Sequence, residues 1–254
     1  MTRLFDMQGR RVLISGGGTG LGKAFANAVC EVGAEVIVCG RREAPLQHTV
    51  AALQEQGACA SYQTMDVTSA SSIQAALDAA TADGRLDVLV NNAGVVGEEM
   101  LINHSESGWD HVMNANLKGA FMLAQAAAQK MAADGHGGSI VNIASILGAT
   151  AQKGTGPYGA SKAALIHLTK NMAVEWARYG IRVNAIAPGY FRTDMADAFL
   201  DSAAGEALLK RSPIRRAGAA HELSGAILLL ASDAGAFMTG SVVTVDGGQS
   251  IPTI

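Results

Sequence analysis

The chain has 254 residues, of which 49% are hydrophobic and only 16% charged, and its formal net charge is −3. Such a length allows one large α/β domain or two small ones, and a charge content well under the usual value of about 25% implies that part of the surface is buried between subunits. The arginine pairs Arg10–Arg11, Arg41–Arg42 and Arg215–Arg216 are scattered, which argues against nucleic acid, and neither the opening MTRLFDMQGRR nor any apolar run suggests export or a membrane.

In chain order, short apolar runs alternate with alanine-rich helical stretches. The runs are RVLIS (11–15), EVIVCG (35–40), ASYQTM (60–65), LDVLVNN (86–92), GSIVNIAS (138–145), IRVNAIAPG (181–189) and SVVTVDGG (241–248). Helical patterns are predicted near 20–32, 42–56, 69–82, 105–133, 157–179 and 219–232. Strands that are nearly continuous in Val and Ile suit a parallel sheet covered on both faces. The alternation therefore predicts a doubly wound, seven-stranded parallel sheet of Rossmann type, built as one domain over residues 1–254. In such a sheet the ligand lies beyond the carboxyl ends of the strands.

The polar and glycine-rich residues fall at those ends. After the first run comes SGGGTGLGKAF, with Gly16, Gly20 and Gly22 spaced GxxxGxG. Glycines there permit a tight turn and let backbone amides approach a pyrophosphate at a helix N-terminus. The same stretch resembles a triphosphatase phosphate loop, but Ala24 stands where that loop needs a Mg²⁺-binding hydroxyl. NNAG, Asn91 to Gly94, follows the fourth run. Its amides can hold backbone groups of the first loop, while Ala93 and Gly94 leave room for a flat ligand. Ser145 follows the fifth run, and APGYFRT, with Pro188, Gly189 and Thr193, follows the sixth.

GPYGASKAAL (156–165) places Tyr158 and Lys162 four residues apart behind Pro157. If Pro157 opens a helix, the two side chains share a face, and an ammonium beside a phenol should pull its pKa down from about 10. Three cysteines (Cys30, Cys39, Cys59), odd in number and without a CxxC, read as reduced thiols of a cytoplasmic protein. The six histidines have no metal-ligand spacing, so no metal site is expected. Of Met100, Met195 and Met238, Met195 is the candidate for a pocket wall because it follows Thr193 closely.

GxxxGxG, NNAG, a serine thirteen residues before YGASK, PGYFRT and a closing VDGG, in this order, resemble the classical short-chain dehydrogenase/reductase family over essentially the whole chain. The resemblance implies hydride transfer between a nicotinamide and a carbonyl or secondary alcohol. It gives Tyr158 the role of acid or base and Ser145 that of orienting the substrate oxygen. Lys162 would bind the nicotinamide ribose as well as tune Tyr158. Asn116, in NANLKG, matches the fourth catalytic residue, which anchors a water-linked proton path to the lysine. It is preferred to Asn114 because LKG follows it. Cofactor contacts are implied for Gly16, Gly20, Leu21, Gly22, Asp66, Val67, Asn91, Asn92, Ala93, Gly94, Tyr158, Lys162, Pro188, Gly189 and Thr193. Asp66 is placed near the adenine, Asn91 and Gly94 along the adenosine and Thr193 near the carboxamide.

A fold of this type that prefers NAD usually ends its second strand on an acid. Here that position is Gly40, followed by Arg41 and Arg42, so NADP(H) is the expected cofactor, with NAD(H) also admissible. Small-residue segments in 105–133 and 157–179 let helices approach closely, and family members commonly pair them about two-fold axes, which implies a homotetramer. The segment 190–216 is expected to be the substrate lid. Its mixture of apolar residues and cations admits a sugar or polyol, a 3-oxoacyl thioester or a bulky ketone. A methyltransferase would share the glycine loop without needing YxxxK, and a non-catalytic dinucleotide-binding protein would have no need of Ser145, Tyr158 and Lys162 together.

Overall fold

In the structure, a computed structural model, residues 2–97 and 99–251 are described. Met1, Glu98 and residues 252–254 of the expected span lie outside them. The seven runs form seven strands: β1 (Arg11–Ser15), β2 (Glu35–Gly40), β3 (Ala60–Thr64), β4 (Val88–Asn91), β5 (Gly138–Ile143), β6 (Ile181–Pro188) and β7 (Val242–Val245). They make one sheet in the order β3-β2-β1-β4-β5-β6-β7, and every pairing is parallel. The order reverses beside β1, between β1 and β4, so a crevice opens there at the strands' carboxyl ends.

Strand side chains alternate between the two faces. Val12, Ile14, Val36, Val38, Val88 and Val90 pack on one side with Phe25 of α1 (Gly20–Cys30), with Leu46 and Leu53 of α2 (Glu43–Glu55), and with Ile227 of the later helix Ser224–Ala231. Leu13, Ile37, Leu89, Ile140 and Val183 pack on the other with Ile73 and Leu77 of α3 (Ala70–Ala80), and with helices farther along the chain. Both faces are therefore dry. At about 25 cal/mol per Å² of buried apolar surface, the two layers dominate the energetics of the fold.

The stretch expected as one helix from 105 to 133 is a continuous rod with a changed pitch. α4 (Glu106–Met113) runs into a π-helical turn, Asn114–Gly119, and then into α5 (Ala120–Asp134). α5 supplies Leu123, Ala124, Ala127 and Met131 to the second core layer. α6 (Gly156–Trp176) starts with Pro157 in its first turn, as expected. The segment after β6 folds into α7 (Asp197–Leu200) and α8 (Ala203–Arg211), and the last helix, α9 (Ser224–Ala231), is preceded by a 3-10 turn at Ala220–Leu223. No helix among the described residues is long and apolar enough to cross a membrane.

Candidate active site

A cavity of about 720 Å³ opens at the carboxyl ends of the strands. At one end lies the loop between β1 and α1. Gly16 has φ +67° and Gly20 φ +52°, a region that disfavours side chains. A Cβ on Gly22 would stand 2.1 Å from the Gly16 carbonyl oxygen, so only glycine lets α1 start this close to the loop. No side chain caps α1, and its first turn contains no acid. The serines Ser69, Ser105 and Ser202, by contrast, cap α3, α4 and α8. The first amides of α1 and the positive end of its dipole therefore face the cavity, where Gly16, Gly18, Thr19, Gly20 and Leu21 form the wall. Such a wall could hold a pyrophosphate.

The loop is tied to β4. The Ser15 hydroxyl accepts the backbone N–H groups of Asn92 and Ala93, each at 3.0 Å, while the Asn92 amide donates to the carbonyls of Ser15 at 3.0 Å and Gly16 at 3.3 Å. Next to this end, Gly40, Arg41 and Arg42 face Asp66 and Val67 across the cavity. Hydrogen bonds from the Thr68 amide and hydroxyl hold the Asp66 carboxyl below its ordinary pKa, and the charge of Arg41 adds to that effect. The Arg41 guanidinium therefore stands close to Asp66, with no carboxylate ion pair of its own among the described residues.

At the other end Ser145, Tyr158 and Lys162 converge. Ser145 ends the connection from β5 and caps the short turn Ile146–Gly148 by accepting from Leu147 N–H at 3.1 Å. Lys162 is almost fully buried and donates to the Ile143 carbonyl at 2.8 Å. Burial lowers its pKa from 10.5 to about 8. The Lys162 ammonium lies 5.6 Å from the centroid of the Tyr158 ring. The expected depression of the tyrosine pKa is not what the structure gives. Burial penalises the phenolate and raises the pKa, and the hydrogen bond with Ser145 offsets only part of that.

Gly20, Leu21, Ala93, Gly94, Pro188, Gly189 and Thr193 also line the cavity, with Asn92 and Val67. Three of the residues singled out in the sequence do not. Gly22 is packed beneath the loop. Asn91 points away, into the interior, where its amide donates to the Ala120 carbonyl at 2.7 Å and to Asn142 at 3.1 Å. Its position as the last residue of β4 fixes that direction, because consecutive strand residues point to opposite faces. Asn116 lies in the π turn, fully buried. Its Oδ1 accepts from Val95 N–H at 2.7 Å, and its Nδ2 donates to the Val95 carbonyl at 2.8 Å and to Ser161 Oγ at 3.3 Å. A Cβ on Gly94 would lie 3.1 Å from Asn116 Oδ1 and 3.6 Å from Lys162 Nζ, so asparagine and lysine crowd the same spot under the cavity floor.

The structure also adds residues. His111 of α4 and the loop residues Gln152, Lys153 and Thr155 line the wall near Tyr158. Tyr190 donates to Gln152 and stacks obliquely on Phe199, with ring centroids 5.3 Å apart. Only the strand-end rule was available to find such residues, and these sit on connections. Met100 and Met195 line the cavity, whereas Met238 packs against the first core layer. The cysteines are all free; burial lifts Cys30 to about 11 and Cys39 to about 12, which leaves both poor nucleophiles. Among the described residues no cluster of three or more His, Cys, Asp or Glu could hold a metal.

Comparison with known proteins agrees with this geometry. Residues 16–250 match a family model described as enoyl-(acyl carrier protein) reductase. Gluconate 5-dehydrogenase of Gluconobacter oxydans (strain 621H) is 37% identical over 250 residues, covering 98% of this chain and 97% of that protein. A crystal structure of a short-chain type dehydrogenase/reductase from Mycobacterium marinum matches with a TM-score of 0.94 at 39% identity and covers 98% of both chains. A gluconate 5-dehydrogenase from Burkholderia cenocepacia J2315, crystallised with NADP and tartrate, gives a TM-score of 0.95 at 38% identity over 99% of both. Likeness of this depth along nearly the whole chain makes it a member of the classical short-chain dehydrogenase/reductase family, and thus an NAD(P)(H)-dependent oxidoreductase that moves a hydride between a nicotinamide and a carbonyl or alcohol carbon.

Proposed function

We propose that this enzyme interconverts a short polyhydroxylated ketone of the sugar-acid class and its alcohol, prefers NADP(H), and acts as a cytoplasmic homotetramer built from single-domain subunits. The observation that carries the reading is the meeting of Ser145, Tyr158 and Lys162 in the same cavity as the glycine cradle. The relatives named for gluconate support the substrate class.

The cradle fits a dinucleotide. The amides at the start of α1 would hold the pyrophosphate, Arg41 and Arg42 a 2′-phosphate, and Asp66 and Val67 the adenine edge. Ala93 and Gly94 would flank the adenosine side, with Pro188, Gly189 and Thr193 at the carboxamide. Gly22 and Asn91 would act indirectly, by shaping the loop and the end of β4. When bound, the nicotinamide supplies or accepts the hydride at its C4.

The protein's own part is proton handling and orientation. The Tyr158 hydroxyl gives its proton to the carbonyl oxygen in reduction and takes it back in oxidation. Ser145 Oγ donates to the same oxygen and stabilises charge as it develops there. Lys162, positively charged below about pH 8, favours the phenolate left behind. Asn116 keeps the floor residues Val95 and Ser161 in place beside Lys162, where a water could relay the proton outward. The segment 190–216 would close over the substrate through Tyr190, Met195 and Phe199, all of which line the cavity.

For assembly, Val174 on α6 is 80% exposed and Phe237, just before β7, fully so. Apolar groups on the α6 face and beside the edge strand suit two-fold contacts at both places.

The test is Tyr158→Phe, which keeps the ring and removes the acid. Turnover should fall at least about a hundredfold, the lower end for general acid–base catalysis, while NADPH binding, followed by nicotinamide fluorescence, persists. Near-normal turnover would sink the assignment.

A further inference from the structure

The wall of the cavity nearest Tyr158 is the loop 149–155, and its charge is not accounted for by hydride or proton transfer. Gln152, Lys153, Gly154 and Thr155 line the cavity together with Ser145 and Tyr158. Gln152, Lys153 and Phe199 also line a neighbouring depression of about 700 Å³, whose far side is α8, with Ala204, Ala207, Leu208 and Arg211. Lys153 thus stands on the ridge between the reacting groups and this side chamber.

Three other cations of the lid region are neutralised; Arg215 has no ion pair among the described residues, but it lines neither cavity. Arg192 meets Asp201 at 2.6 Å and Asp197 at 3.5 Å, Lys210 meets Glu206 at 3.5 Å, and Arg216 meets Glu222 at 2.6 Å. Lys153 and Arg211 have no ion pair among the described residues, and no carboxylate lines the side chamber. The acids that line the main cavity are Asp66, at the adenine end and engaged by Thr68, and Asp194, on the lid segment beside Thr193; neither forms an ion pair with Lys153. The wall at Lys153 therefore carries a positive charge with no carboxylate paired to it. Gln152 on the same ridge accepts from the Tyr190 hydroxyl through its Oε1 and keeps only a neutral amide to donate, so the ammonium is the charged donor on this wall.

From this geometry we infer that Lys153 is a specificity-determining residue that binds the carboxylate of the substrate, with Arg211 reinforcing the field from the far wall. The inference rests on the sugar-acid reading above and deepens it. A point charge on a flexible stem suits one carboxylate without demanding two-point geometry. Because it is exposed, Lys153 acts on substrate binding and not on the proton-transfer groups, so its effect belongs in KM and not in kcat.

The experiment uses the whole enzyme saturated with NADPH, so that an alcohol binds without being oxidised. Calorimetric binding of D-gluconate is compared with that of D-sorbitol, which has the same carbon chain with a hydroxymethyl group in place of the carboxylate. We expect gluconate to bind more tightly to the unchanged protein. Lys153→Met should weaken gluconate about tenfold and leave sorbitol unchanged, and Lys153→Arg should restore most of the loss. Arg211→Met should weaken gluconate about two- to threefold. With 5-keto-D-gluconate and NADPH, Lys153→Met should raise KM by a similar factor and keep kcat within about twofold.

Equal weakening of both polyols, no weakening of either, or a native protein that does not prefer gluconate would overturn the inference. So would a tighter, Lys153-dependent grip on the phosphate of 6-phosphogluconate that leaves gluconate itself insensitive to Lys153. In any of those cases turnover of a ketone that still depends on Tyr158 leaves the oxidoreductase assignment standing. Tyr158-independent turnover would remove that assignment, whatever Lys153 does.

Discussion

The end of β2 offers the sharpest test of cofactor choice. A Cβ on Gly40 would meet only Leu46 Cδ2, at 3.6 Å, an ordinary contact, and Gly40 is not among the glycines with positive φ. Gly40→Asp should therefore fold without strain and put a carboxylate where an NAD-preferring relative of this fold would have one. Arg41→Ala removes the guanidinium. A charge-assisted hydrogen bond contributes about 1.5–3 kcal/mol, but Arg41 is exposed, so screening favours the lower value. At about 1.4 kcal/mol per factor of ten, the single change should lower the NADPH-to-NADH ratio of kcat/KM roughly tenfold. The new carboxylate facing a phosphate about 4 Å away in a watery setting adds about 1 kcal/mol of repulsion, a further factor of about five. The double variant should thus lose about fiftyfold in the ratio, measured at constant ionic strength because the effect is screened. A native enzyme that prefers NADH, or a double variant with an unchanged ratio, would refute this account of the strand end.

Other consequences can be measured on the same protein. Lys162 has a folded pKa near 8 against 10.5 for the free side chain, so the unfolded chain binds more protons between those values and stability rises with pH across that window. Denaturant titrations should show the parent gaining on Lys162→Met by on the order of 3 kcal/mol from pH 8 to 10.5; a pH-independent difference would mean that the lysine is not desolvated. Gly22→Ala should cut NADPH affinity at least about tenfold and lower Tm, because its methyl carbon would overlap the Gly16 carbonyl and overpacking costs about 1–3 kcal/mol; unchanged fluorescence titrations would contradict that. Val174→Asp should shift light scattering from the proposed tetramer toward dimers, and a native monomer at micromolar concentration would count against the assembly.

The sheet was legible because its central strands are buried on both faces and so read as Val- and Ile-rich runs, while the half-exposed edge strand β3, ASYQT, carries a weaker signal. The glycine loop and Ser145 were legible because the doubly wound topology assigns function to strand ends, and Tyr158 and Lys162 because their spacing behind Pro157 sets them on one face of a helix. What stayed hidden has physical causes. Apolar spacing does not distinguish a π turn from an α turn in a stretch such as NANLKG, where Leu117 is the only large apolar residue. Asn91 and Asn92 look equivalent in sequence, yet alternation along β4 sends the first into the core and the second to the loop. The upward shift of the Tyr158 pKa depends on burial, which local spacing cannot supply. Gln152 and Lys153 lie on a connection whose path is set by packing against Tyr190 and α8, far away in the chain.

The π turn at Asn114–Gly119 also fixes how the two helices on either side are phased. One residue added to a helical turn rotates everything beyond it by about 100°. α4 buries Val112 alone among its eight residues, while α5 buries a full stripe from Ala120 to Met131 against the sheet. Without the extra residue the same sequence could not present both faces correctly from one rod: seating α5 on β4 would swing Val112 and His111 away from the loop and the cavity wall. Removing a single residue from Asn114–Gly119 should therefore act less like the loss of a side chain than like a frameshift in space, misaligning the cavity wall formed by α4 while leaving the composition of both helices intact.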